Sequence, residues 1–217
     1  MFDKITWNAS GAWIESESFR RIEAEADKHR FTEDEWRIAR RLIHTTADFS
    51  IVENLRFAHN PIDEGIAALN EGVPIYTDSN MIKAGISETK LKKFNRKYTK
   101  ASVHCFVADE DVAQTAKKEN TTRALAGIRK GKKIINNGIF LCGNAPLALA
   151  GTIKMIIEEG IRPRLIIGMP VGFVNVIESK ELLKATDVPY ITIEGRRGGS
   201  TLAVATLHAI MEKVLNP

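Results

Sequence analysis

Cysteine is nearly absent. Cys105 and Cys142 are the whole supply, both lie inside apolar runs, and no Cys-x-x-Cys spacing occurs, which argues against a zinc site or a disulfide framework. They read as small core residues of a cytoplasmic protein. Long apolar runs are missing too: no window approaches the roughly 20 residues that span a bilayer, and the opening Met1-Phe2-Asp3-Lys4-Ile5 carries no cleavable apolar stretch. A soluble protein is expected, with no membrane partner. The five histidines do not cluster, and His29, His59, His104 and His208 show no His-x-x-x-His spacing, so no metal site is expected. No Gly-x-Gly-x-x-Gly follows a strand and no Gly-x-x-x-x-Gly-Lys-Ser/Thr occurs, which weakens a nucleotide-dependent oxidoreductase or kinase reading. Charge of one sign is not in large excess: Lys+Arg 31 against Asp+Glu 27 leaves a net +4, a mixed surface. Without interleaved aromatics this does not imply nucleic acid. An anionic small molecule fits that balance equally well. Repeats and low-complexity tracts are absent, and 217 residues with 44% hydrophobic content suffice for one substantial core, so residues 1–217 are expected to form a single domain.

What is present divides at about residue 73. Before it the pattern is helical: Ser16 and Glu17 open a helix with Phe19, Ile22 and Ala26 on one face; Thr32 and Glu35 form a capping box ahead of Trp36, Ala39, Leu42, Ile43 and Ala47; a third helix runs from Asp63 to Asn70, closed by Gly72. After it, strands alternate with helices. The strands are read as Val73 to Thr77, Ser102 to Ala108, Ile139 to Cys142, Arg164 to Ile167 and Pro189 to Ile193. The helices are read as Ser79 to Ala84, Asp111 to Arg129, Pro146 to Glu158, Val176 to Ala185 and Ser200 to Leu215. The expected fold is α/β: a mainly parallel five-stranded sheet with helices on both faces, preceded by N-terminal helices. Lys90 to Lys100 is basic and weakly patterned and is assigned no fixed structure.

Three turns that follow apolar runs mark the functional edge: Gly143-Asn144-Ala145-Pro146, Gly168-Met169-Pro170-Val171-Gly172-Phe173 and Gly195-Arg196-Arg197-Gly198-Gly199-Ser200. Right-handed crossovers bring such turns to one mouth of a parallel sheet, and the helix start at Ser200 with its arginines suits a carboxylate or phosphate. His44, in Ile43-His44-Thr45-Thr46-Ala47-Asp48, stands at a helix C-terminus, which stabilises an imidazolium and suits a general acid; a capping or packing histidine is the alternative. Asp78 stands at a strand end, where it either reaches the cleft or caps the helix containing Met81. Arg123 is either a solvated arginine or a bidentate carboxylate clamp. Asn144 with Pro146 reads as a cap and first-turn pair whose amide can also meet a ligand.

Together these motifs resemble the precorrin-8X methylmutases of cobalamin biosynthesis, over nearly the whole chain. The resemblance rests on Glu15-x-x-Ser18-Phe19 with Glu23-Ala24-Glu25-Ala26-Asp27, Arg41-Leu42-Ile43-His44-Thr45-Thr46-Ala47-Asp48-Phe49, Thr77-Asp78-x-x-Met81, Asn120-x-Thr122-Arg123, the three glycine turns and Glu178-Ser179-Lys180. It implies an isomerase that moves a methyl group from C-11 to C-12 of precorrin-8X, or of cobalt-precorrin-8, giving hydrogenobyrinate or cobyrinate. Formally this is a 1,5-sigmatropic shift with no cofactor consumed. It further implies that His44 protonates the macrocycle and that the protein is a homodimer with its site near the subunit interface. On that basis Arg123, Arg196 and the helix start at Ser200 hold carboxylate arms. Ser18, Thr45, Asp78 and Asn144 are further polar contacts, and Met81, Met169, Val171 and Phe173 are ring walls. A non-catalytic tetrapyrrole carrier is the alternative function.

Overall fold

The computed structural model describes residues 2–215. After a short 3-10 turn at Phe2–Lys4 come α1 (Gly11–Glu25), α2 (Glu33–Thr46), α3 (Ile51–Asn54), β1 (Leu55–Ala58), α4 (Pro61–Glu71), β2 (Ile75–Thr77), α5 (Asn80–Gly85), α6 (Glu88–Phe94) and β3 (Val103–His104). The second half holds α7 (Glu110–Lys118), α8 (Arg123–Lys130), α9 (Lys132–Ile135), β4 (Ile139–Cys142), α10 (Pro146–Glu159), β5 (Leu165–Gly168), α11 (Val176–Lys184), β6 (Tyr190–Ile193) and α12 (Ser200–Leu215).

The sheet has six strands rather than the expected five, in the order β1-β6-β5-β4-β2-β3. Five are parallel, with Ile75 beside Val103 and Ile139, Ile139 beside Leu165, and Ile166 beside Tyr190. The additional strand, β1, runs antiparallel on the edge, pairing Leu55 with Ile193 and Ala58 with Tyr190. Four residues with a single buried position and a helix directly before them carry too little period-2 signal to stand apart from the helical N-terminal pattern.

Alternate residues of each buried strand face opposite layers. Ile75, Ile139, Leu141, Leu165, Ile167, Ile191 and Ile193 pack with α2, α4, α5, α6 and α12. Tyr76, Phe140, Cys142, Ile166 and Tyr190 pack with α8 to α11. Among the parallel strands the chain begins at β2, goes outward to β3, then returns to β4 on the other side of β2. From β2 it leaves into α5 on the first face, from β4 into α10 on the second. The carboxyl ends of β2 and β4 therefore flank a switch point, the place where an open α/β sheet leaves a crevice.

Several boundaries differ from the sequence reading. Helix α1 starts at Gly11, because Ser10 rather than Ser16 caps it by accepting from the Trp13 N–H. The expected Asp111 to Arg129 helix is two helices, broken where Asn120 takes a left-handed φ of +49° and Thr122 caps α8. Ser102 to Ala108 contracts to β3, and the segment left without structure contains most of α6, capped by Ser87 and anchored by buried Leu91. The capping box at Thr32 and Glu35 and the left-handed Gly72 that closes α4 are as expected.

Candidate active site

The three glycine turns follow β4, β5 and β6 and are stitched to one another by backbone hydrogen bonds. The Met169 N–H donates to the Cys142 carbonyl at 2.7 Å, Gly199 N–H to Met169 at 2.9 Å, and Gly172 N–H to Arg196 at 3.3 Å. Two positions admit no side chain. A Cβ on Gly198 would stand 2.2 Å from the Met169 oxygen, and one on Gly143 would stand 2.8 Å from the Gly199 oxygen. From beneath, Lys180 Nζ donates to the carbonyls of Gly195 at 2.8 Å and Arg197 at 2.6 Å. Lys180 is buried, and desolvation lowers its pKa to about 8. The turn so fixed presents an exposed Arg196, whose guanidinium lies 5.4 Å from the centre of the exposed Phe173 ring.

At the switch point the crevice is closed by Asp78. Its carboxylate accepts from the N–H groups of Gly143 at 3.1 Å, Asn144 at 2.8 Å and Ala145 at 2.6 Å. It therefore caps α10 from a different strand, since the local cap residue, Ala145, has no side chain able to do so. Burial pushes this carboxyl above its usual range, against the pull of those three donors.

The last turn of α2 forms the facing wall. His44 is half-buried with its ring 5.3 Å from that of Phe19, and the helix closes at Ala47 with a left-handed φ of +52°. Phe19 also lies under two guanidiniums, Arg40 at 4.5 Å and Arg41 at 4.7 Å. Arg41 pairs with Glu15 at 2.6 Å and with Glu212, which also takes Lys90. Beside this network opens a cleft of about 310 Å³ lined by Arg41, Thr45, Met81, Lys90, Ser200 and His208, among others. Ser200 Oγ sits 3.1 Å from Ser79 Oγ, joining the start of α12 to the cap of α5. His208 Nε2 accepts from the Ser87 N–H at 3.1 Å, and burial lowers its pKa to about 4, so the imidazole is neutral. Finally, Arg197 reaches from the third turn to the end of α2, donating to Asp48 at 2.6 Å and Ser50 at 2.7 Å.

Of the residues singled out in the sequence, Thr45, Met81 and Ser200 share the cleft, and His44 is the helical neighbour of Thr45. Val171, Phe173 and Arg196 stand exposed on the adjoining turns. Ser18 precedes Phe19 on α1 but spends its hydroxyl on the Ile14 carbonyl at 2.8 Å. Asn144 is exposed at the α10 start, and Arg123 is exposed at the first residue of α8, on the sheet face opposite α2. Two expectations are corrected. Asp78, 2% exposed, is consumed by backbone donors, and Met169, 0% exposed, lies in the core with its sulfur accepting from Thr206, so neither lines the cleft. Arg41, Lys90, His208, Lys180 and Arg197 were not singled out. Arg41 carried a readable signal, four residues before Thr45 and so on the same helix face; Lys180 and Arg197 stand in the motifs that carry the resemblance, but their bonds were not readable because what they hold is distant in sequence. Among the described residues no helix is long and apolar enough to cross a membrane, and no group of three or more His, Cys, Asp or Glu could hold a metal ion.

Comparison with known proteins converges on one family. The profile of the precorrin-8X methylmutases matches residues 13–213. The cobalt-precorrin-8 methylmutase of Leptospira interrogans is 45% identical over 209 residues, covering 93% of both chains. The precorrin-8X methylmutase of Pseudomonas aeruginosa is 34% identical, covering 95% of this chain and 97% of that protein. Among solved structures, the precorrin-8x methyl mutase of Thermus thermophilus superposes with a TM-score of 0.83 at 40% identity, covering 93% of this chain and 95% of the other.

Proposed function

Because the chain belongs to the precorrin-8X methylmutase family, it is an isomerase that moves a methyl group within precorrin-8X or its cobalt form, and we propose that His44 donates the proton that drives the migration. One observation carries this reading: the His44 imidazole sits on the last turn of α2, half-buried against Phe19, next to Thr45, which shares a cleft with Ser200 at the end of the third glycine turn. Protonating the conjugated ring raises its electron demand, which lowers the barrier for the methyl group to leave C-11 and bond to C-12 with its bonding pair; the ring then returns a proton to the imidazole, so the product is an isomer of the substrate and His44 is regenerated. The reaction consumes no donor or redox equivalent, so orientation and proton delivery supply the acceleration.

The rest of the site binds a flat polyacid. Arg196 offers a forked donor to a carboxylate arm, the N–H groups at the start of α12 and the hydroxyls of Ser200 and Thr45 offer neutral donors, and Met81, Val171 and Phe173 offer apolar faces to the ring. Asn144, exposed at the α10 start, offers its amide to a further arm. The protein works in the cytoplasm, where its two buried thiols stay reduced, and as a homodimer, which the exposed Trp7, Trp13 and Ile14 support.

The test is conversion of precorrin-8X followed by the visible spectrum in H2O and in D2O. Proton donation in the rate-limiting step slows turnover in D2O by about twofold or more. An unchanged rate contradicts it.

A further inference from the structure

Adjacent residues of the third turn point at different targets. Arg196 projects over the Phe173 ring, while Arg197 bridges the Asp48 carboxylate and the Ser50 hydroxyl. Asp48 lies four residues beyond His44, just past the left-handed residue Ala47 that ends α2. Asp48 is itself prepared for this bond: its other oxygen accepts from the Ser50 N–H at 2.9 Å and Ser50 Oγ at 2.7 Å, and these bonds, with Arg197, hold its carboxyl below the usual range. At its own end, the Arg197 backbone is pinned by Lys180 and the Arg196 carbonyl by the Gly172 N–H. The tether therefore runs from a turn pinned by Lys180 to Asp48 and Ser50, just past the end of α2.

We propose that Arg197 is a positioning residue that ties the turn presenting Arg196 to the helix end carrying His44, holding proton donor and carboxylate clamp at one separation. The pair is 40% and 36% exposed, so it contributes little to stability. What it supplies is geometry. Donor placement within a fraction of an ångström governs proton transfer, while substrate affinity depends on Arg196, whose turn keeps its other anchors when Arg197 is lost.

The inference rests on His44 being the acid, and the experiment separates the two. Turnover and pigment binding are measured for the full chain with Arg197→Ala, Arg197→Lys, Asp48→Ala, the Arg197→Ala/Asp48→Ala double variant and His44→Ala. Arg197→Ala lowers kcat about tenfold or more with KM within about threefold, at a melting temperature close to wild type. Asp48→Ala gives the same fall, the double variant falls no further, and Arg197→Lys recovers part of the loss. Turnover within about twofold of wild type in Arg197→Ala, a rise in KM in place of the fall in kcat, or multiplying losses in the double variant overturns the proposal. Wild-type turnover in His44→Ala removes the acid reading itself, whatever Arg197 does. Loss in His44→Ala with no change in Arg197→Ala removes only the positioning role.

Discussion

The Asp78 carboxylate and the Ala145 N–H meet at 2.6 Å across the gap between two strand ends, so a residue expected to face ligand instead completes the first turn of α10. Three backbone donors depend on that one side chain. Asp78→Ala strands them in a buried crevice and is expected to cost about 2–4 kcal/mol of stability, read from urea unfolding midpoints. A loss below about 0.5 kcal/mol contradicts the capping role.

Gly198 sits where the second and third turns cross, with Met169 and Pro170 carbonyls 2.2 Å and 2.5 Å from any added Cβ. Backbone cannot yield cheaply there, so Gly198→Ala is expected to lose about 2–4 kcal/mol and to loosen the rim. Gly11→Ala, where a Cβ meets nothing within 4 Å, is the matched control and leaves the melting temperature nearly unchanged. Equal behaviour of the two variants contradicts the crossing.

His208 supplies a pH signature. Its folded pKa of about 4 lies below the ordinary 6.5, so between those values the unfolded chain binds the extra proton. Its contribution is complete above pH 6.5 and is lost as pH falls toward 4, by about 2–3 kcal/mol. Unfolding midpoints at pH 7 and pH 5 are expected to differ more in wild type than in His208→Gln, which has no titrating group. A pH dependence unchanged by the substitution contradicts a buried neutral imidazole.

Arg196 is exposed on a fixed turn, which suits it to capture an arm of the substrate rather than to brace the fold. Arg196→Ala is expected to raise KM about tenfold with a smaller change in kcat, measured by conversion kinetics. An unaltered KM removes it from the binding site.

The parallel strands and the helices around them were legible because β4, β5 and β6 are fully buried apolar runs, each followed by glycine and then a helical period. The β1 edge was not: only Leu55 of its four residues is buried, so Arg56, Phe57 and Ala58 show no alternation, and the pairing of Arg56 to Glu194 is visible only in three dimensions. The same holds within the site. Thr45, Met81 and Ser200 lie in the motifs that carry the resemblance and line one cleft, with His44 next to Thr45. Whether a motif residue faces outward is decided by packing: Asp78 and Met169 look like ligand contacts in sequence and are enclosed, while Lys180 looks like surface charge and is buried under the third turn.

The role of His44 is tested most directly by the visible spectrum of precorrin-8X mixed with His44→Ala, alongside the wild-type protein. Wild type is expected to bind the pigment and shift its chromophore to that of the rearranged product. The variant is expected to bind with similar affinity and leave the chromophore as it was, with turnover reduced by about a hundredfold or more. Conversion by His44→Ala at a rate near wild type would contradict the claim that this imidazole delivers the proton.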